Sequence, residues 1–205
     1  FTLACYMVEG GSSKHFLKIR ELMYHQPETF HRLMDKLASA VIQYFTMQAE
    51  TGVTAVQLFD TWAGELSTYD YDRFVLPYVK KIIDSVPERL PVIYYINGIG
   101  NLLSRAEETG ADVIGVDWRL NLCEVRHQLG AQTVVQGNLD PAVLVAPHHV
   151  IRDRVFRMLD MTGGQGHIVN LGHGLIPDTP VSGISAFVQA VFDWAEANTG
   201  KSKDA

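Results

Sequence analysis

Hydrophobic positions along this chain follow two spacings. Phe30, Leu33, Met34, Leu37, Val41, Tyr44 and Phe45 recur every three or four residues, as in an amphipathic helix with one apolar stripe. Gly52 follows as the glycine that ends such a helix in a left-handed turn. The second pattern is five short apolar runs, at 55–59, 92–96, 113–116, 133–136 and 167–169. They are β-branched or aromatic and not amphipathic, which predicts parallel strands buried on both faces. Each ends on polar or ionisable groups: Asp60 and Thr61; Asn97; Asp117; Asn138 and Asp140; Asn170 and His173. In a wound βα fold the C-terminal strand ends share one face of the sheet, where such folds carry their chemistry.

Glycines punctuate the units between runs. Thr51-Gly52-Val, Thr109-Gly110-Ala and Leu129-Gly130-Ala each read as a helix C-cap feeding a strand. Pro77 falls in a helical stretch at 71–85, Pro147 introduces a helix over 149–161, and apolar positions from Phe187 to Trp194 mark a last helix. The opening segment reads as the end of a sixth strand. No linker or low-complexity stretch divides the chain, so residues 1–205 are expected to form a single domain, with 198–205 a frayed polar tail. Six strands are two short of a closed (β/α)8 barrel, which leaves an open doubly wound sheet or part of a barrel. No Gly-rich phosphate loop follows any run, which disfavours a nucleotide-binding sheet.

Composition narrows the function classes. With 205 residues, 47% of them hydrophobic, the chain can bury one sizeable core. No apolar run approaches the ~20 residues a membrane-spanning helix needs. A net charge of −6 with 17 scattered Lys and Arg argues against a nucleic-acid surface. Cys5 and Cys123 form no CxxC pair, so neither a disulfide framework nor a structural zinc site is expected. With no basic signal-peptide region at the start, a reducing cytoplasm is the expected compartment. Asp60, Asp117 and Asp140 read as helix caps or loop anchors, the commoner role of an aspartate at a strand end. Thr61 taken alone reads as a helix N-cap and Tyr6 as a core-boundary residue. Asn138 and Asn170 read as loop anchors, and the adjacent His148 and His149 as surface residues.

Five stretches, taken in order, carry a resemblance. Tyr6-Met-Val-Glu-Gly-Gly-Ser-Ser-Lys14, Phe59-Asp-Thr-Trp-Ala-Gly64, Gly115-Val-Asp-Trp118, Gln136-Gly-Asn-Leu-Asp-Pro141 and Asn170-Leu-Gly-His-Gly174 closely resemble the uroporphyrinogen decarboxylases of haem biosynthesis. The resemblance implies an α/β fold, a (β/α)8 TIM barrel lacking its N-terminal strands. The chain then matches the C-terminal three-fifths, from the end of strand 3 through strand 8. It also implies a cytoplasmic, homodimeric carboxy-lyase that uses no cofactor. Such an enzyme removes the four acetate carboxyl groups of uroporphyrinogen III to give coproporphyrinogen III and CO2. A pyrrole protonated on carbon is an electron sink, so the protein's task is to supply a proton, hold carboxylates and stabilise the cation.

Three family substrate-binding positions carry over: Tyr6, Thr61 and His173. Each is a hydrogen-bond donor expected at a strand end. The family's Arg-Gln-Ala-Gly-Arg-Tyr stretch and its catalytic aspartate belong to the portion before Phe1, so no catalytic residue is assigned here and the chain alone is expected to be inactive. Asn97 stands where many relatives carry a lysine, which puts that loop's role in ligand binding in question. One rival on the same barrel is a zinc-dependent corrinoid-linked methyltransferase, but its His-x-Cys and cysteine positions hold Asn97-Gly and Asn170-Leu-Gly-His here. The other is a non-catalytic porphyrinogen-binding relative.

Overall fold

The computed structural model describes residues 1–11, 13–130 and 132–198. They fall into two compact units, residues 1–114 and residues 115–205 as far as described. The tail expectation lies almost wholly outside the described residues.

The first unit opens with three helices: α1 (Thr2–Glu9), α2 (Leu17–His25) and α3 (Pro27–Glu50). The opening segment is therefore helical, and no strand precedes residue 56 among the described residues. Its eight residues are too short to stand alone. They are fixed instead by a left-handed Gly10 at the C-terminus and by a carboxylate contributed at the other end from residue 60. In α3 the buried stripe is Phe30, Met34, Ala38 and Phe45. Tyr44, expected on that stripe, is exposed because it lies a full 100° from Phe45 around the axis.

β1 (Val56–Phe59) is followed by α4 (Thr68–Phe74) and α5 (Leu76–Ile83), so the stretch expected as one helix is two. The break falls at Val75 because Pro77 occupies the first turn of α5, where its missing N–H costs nothing. β2 (Val92–Tyr95) pairs in parallel with β1, Val56 opposite Val92 and Phe59 opposite Tyr95. α6 (Leu103–Glu107) leads to β3 (Val113–Gly115), which begins in this unit, and Asp112 N–H donates to the Val92 carbonyl. The core holds Phe30, Tyr71, Phe74 and Tyr94, all fully buried, with Phe30 and Phe74 meeting edge to face at 5.5 Å. Burial of each such ring contributes about 2–3 kcal/mol.

The second unit continues from the end of β3 through α7 (Leu122–Leu129), β4 (Val134–Leu139), α8 (His148–Thr162), β5 (His167–Leu171) and α9 (Val181–Asn198). Val116 N–H donates to the Gln136 carbonyl, and β4 pairs in parallel with β5, Val135 opposite His167 and Leu139 opposite Leu171. Asn138 and Asn170 thus lie within strands, where they were expected just past strand ends. The expectation of strands buried on both faces holds for β2, β3 and most of β4. It fails for β1 and β5, whose Phe59 is 63% exposed and Ile168 41% exposed. Each of these two strands is paired along one edge among the described residues. Strand, helix and parallel strand thus recur through the chain, an α/β fold.

Candidate functional site

The site-bearing groups of the first unit gather around Asp60. Its carboxylate is 3% exposed and accepts hydrogen bonds from Thr2 N (2.7 Å), Thr2 Oγ1 (2.9 Å) and the Phe1 nitrogen (3.1 Å). A carboxylate at the β1 end therefore caps α1 from outside the helix, where orphan N–H groups and the helix dipole favour negative charge. Thr2 Oγ1 in turn accepts from Trp62 N at 2.9 Å, so α1 and the turn after β1 are tied at two points. On α1, one turn further along, the Tyr6 ring lies against the Trp62 indole with centroids 4.4 Å apart.

This sets the Tyr6 ring against the residue that follows Thr61 in the chain. Tyr6 comes from α1 and not from a strand end. It is half exposed, and its hydroxyl has no partner among the described residues. Thr61 sits between Asp60 and Trp62, half-buried, and does not act as the helix cap its sequence context suggests. Ser67 takes that role for α4, accepting from Asp70 N at 3.1 Å. Deeper in, Tyr71 and Tyr94 share a hydroxyl–hydroxyl bond of 2.9 Å. Burial pushes both phenols well above their ordinary range, so they remain neutral and serve as hydrogen-bonding supports. Burial likewise pushes the Cys5 thiol up to about 12, which removes it as a nucleophile.

Gly64, at the end of the same motif, faces the next strand end. A Cβ there would collide with the Asn97 carbonyl and stand 3.0 Å from the Gly98 carbonyl oxygen, so the motif glycine allows two loops to lie in contact.

In the second unit His173 follows β5 by two residues and is exposed. Gly174 N–H donates to His173 Nδ1 at 2.7 Å, so the neutral ring carries its proton on Nε2 and presents an N–H donor. Its ring meets Trp118 edge-on, centroids 6.1 Å apart and planes at 83°. Asp117 is buried and accepts from Arg119 N and from the Arg119 guanidinium, both at 3.0 Å. Asn138 Nδ2 donates to the carbonyls of Asp117 (3.0 Å) and Leu120 (2.7 Å), which fixes the same loop. Asp140 accepts from Ala142 N and caps the short turn after β4, while Asn170 accepts from the adjacent Leu171 N. The structural roles expected for the three aspartates and for Asn138 are thus seen directly. His148 and His149 are exposed on the first turn of α8.

Trp62 and Trp118 carry more of the geometry than the sequence disclosed. Both sit in the motifs quoted above, one residue beyond a strand-end polar group, and that repeated position was the available signal. Among the described residues no three His, Cys, Asp or Glu side chains stand close enough to hold a metal ion.

With this geometry in hand, a family model described as Uroporphyrinogen decarboxylase (URO-D) matches residues 1–194. The chain belongs to the uroporphyrinogen decarboxylase family. The uroporphyrinogen decarboxylase of Geobacter metallireducens is 46% identical over 193 residues, 93% of this chain and 57% of its own length. A chloroplastic uroporphyrinogen decarboxylase 2 from Oryza sativa subsp. japonica is 45% identical over 192 residues, 92% of this chain and 49% of its own. The chain therefore spans about half the length of the curated relatives it matches. A methyltransferase from Methanosarcina mazei superposes with a TM-score of 0.77, at 20% identity over 86% of this chain and 53% of that one, a likeness of fold alone. The expected fold class, α/β on part of a (β/α)8 barrel, agrees with both the family and the strand pattern.

Proposed function

We propose that the protein carrying this chain decarboxylates uroporphyrinogen III, releasing four CO2 from the acetate side chains to give coproporphyrinogen III. Family membership and 46% identity to a curated decarboxylase support the reaction. The observation that supports extending the reading to particular residues is the α1–β1 junction, where Asp60 caps α1 and the Tyr6 ring packs on Trp62, the residue after Thr61. Tyr6, Thr61 and the His173 Nε2–H each bind a substrate carboxylate, so that the tetrapyrrole is held while a ring carbon is protonated and the C–CO2 bond breaks. The electron pair released with CO2 moves into the protonated pyrrole and leaves an exocyclic methylene. Protonation of that methylene to a methyl group and loss of the added ring proton restore the pyrrole, so each CO2 released consumes one net proton and no redox cofactor is required. The catalytic acid and the main cationic clamp are not assigned to any residue of this chain, and the 205 residues alone are proposed to bind substrate weakly without turnover.

The same reading takes residues 1–205 as one domain of a cytoplasmic homodimer. The two cysteines, both unpaired, fit a reducing compartment, and no described helix is long and apolar enough to cross a membrane.

The test is an anaerobic assay of the complete gene product with chemically reduced uroporphyrinogen III. Appearance of coproporphyrinogen with four CO2 per molecule is expected. If the protein binds the tetrapyrrole and releases no CO2, the non-catalytic binding reading replaces this one. If it does neither, and instead transfers methyl groups, the methyltransferase reading does.

A further inference from the structure

In the second unit a preorganised cation stands beside His173. The loop after β3 and the loop after β5 touch at Gly172, where a Cβ would collide with Trp118 N and lie 2.9 Å from Trp118 Cα. From these two abutting segments rise Trp118, Arg119 and His173. The Arg119 guanidinium lies over the Trp118 ring, 4.1 Å from its centroid, and the His173 ring stands 6.1 Å from the same indole. Those two separations hold the guanidinium within about 10 Å of the imidazole. Asp117 fixes Arg119 twice, through its backbone N and its guanidinium.

The pair is asymmetric. The Asp117 side chain is 1% exposed and that of Arg119 is 50% exposed, so solvent meets the cation and not the carboxylate. A guanidinium stacked on an indole and tethered to a buried acid has lost most of its rotamer freedom in advance, which lowers the entropic cost of binding an anion. Resting on the decarboxylase reading, we propose that Arg119 binds a peripheral carboxylate of the polycarboxylate tetrapyrrole, neighbouring the one taken by His173. This gives the Trp118–His173 corner of the second unit a positive charge that the imidazole donor does not supply.

The experiment compares wild-type complete gene product with Arg119→Met, Arg119→Lys and the double variant Arg119→Met/Asp117→Asn. It reads uroporphyrin binding by tryptophan quenching and KM and kcat for uroporphyrinogen III across a range of salt. Arg119→Met is expected to raise KM and weaken binding by about tenfold or more, the loss of one charge-assisted hydrogen bond. Its kcat should change by less than about threefold, since uniform binding is what is removed. The salt dependence of KM should flatten, and Arg119→Lys should recover part of the loss. The double variant, which also removes the buried negative charge of Asp117, should keep the KM defect. Restoration of wild-type KM in the double variant would show that Arg119 merely neutralises Asp117 and would overturn the proposal. So would an unchanged KM in Arg119→Met when the wild type is active. A wild type that neither binds uroporphyrin nor forms coproporphyrinogen defeats the decarboxylase reading, and this inference with it.

Discussion

A buried carboxylate with three donors around it is costly to remove, and at Asp60 the cost reaches the proposed site. Asp60→Ala leaves Thr2 N and Oγ1 without their acceptor, so a loss of about 2–3 kcal/mol is expected in chemical denaturation. Asp60→Asn keeps an acceptor oxygen and should lose less. If the Ala variant unfolds at the wild-type midpoint, the clamp is not what holds α1. His167 gives a second prediction. Its Nε2 donates to the Gly137 carbonyl at 2.6 Å, so Thr162 Oγ1, 3.0 Å away, faces an unprotonated Nδ1. Burial, aided by Arg126 and opposed by the Gly137 carbonyl, pulls its pKa below the usual 6.5. The unfolded chain therefore takes up the proton first. The stability contributed by neutral His167 is full above pH 6.5 and is lost as pH falls through the lowered value. The stability difference between wild type and His167→Gln should shrink from pH 7.5 to pH 5, and a difference that is constant across that range would refute the assignment. That strand-end acids act as caps was readable from sequence, because capping is local chemistry. That Asp60 caps a helix 58 residues away was not, since no local pattern encodes a tertiary partner.

Elements were readable where punctuation and periodicity agreed. All five apolar runs became strands, and the glycine after α3 adopts the left-handed conformation expected of it. The opening segment was misread because Leu3 to Val8 is an unbroken apolar run, and over so few positions such a run fits strand as readily as helix. What decides it is the Asp60 cap and Gly10, one of them remote in sequence. Strand ends were misplaced by two or three residues at Asn138 and Asn170, because polar side chains can continue a ladder whose bonds are made by the backbone. Two variants test how elements are fastened. Ser67→Ala removes the α4 cap and should cost about 1 kcal/mol in the denaturation midpoint, with substrate affinity unchanged. Gly172→Ala instead drives a methyl group into the Trp118 backbone. It should destabilise by about 1–3 kcal/mol and, by displacing the His173 loop, raise KM as well. Loss of stability with KM untouched would separate that contact from ligand binding.

At the scale of the whole molecule the family and its motifs were legible because five separated stretches had to agree in order and spacing. Tyr6 and Thr61 belong to the first unit and His173 to the second. If all three hold the same tetrapyrrole through different carboxylates, removing a donor from either unit must weaken the same binding event. Tyr6→Phe and His173→Gln are each expected to raise KM by about tenfold or more, one hydrogen bond to a charged group apiece. Because the two side chains bind through separate carboxylates, their free energies should add in the double variant. A ligand held by one unit only gives a different pattern, in which one of the single variants is silent and the double variant equals the other. The cycle therefore decides whether the helix-borne Tyr6 and the loop-borne His173 bind the same ligand, by a measurement in which neither substitution removes a buried contact of its own unit. Parallel denaturation of the three variants at wild-type midpoints would confine the effect to binding.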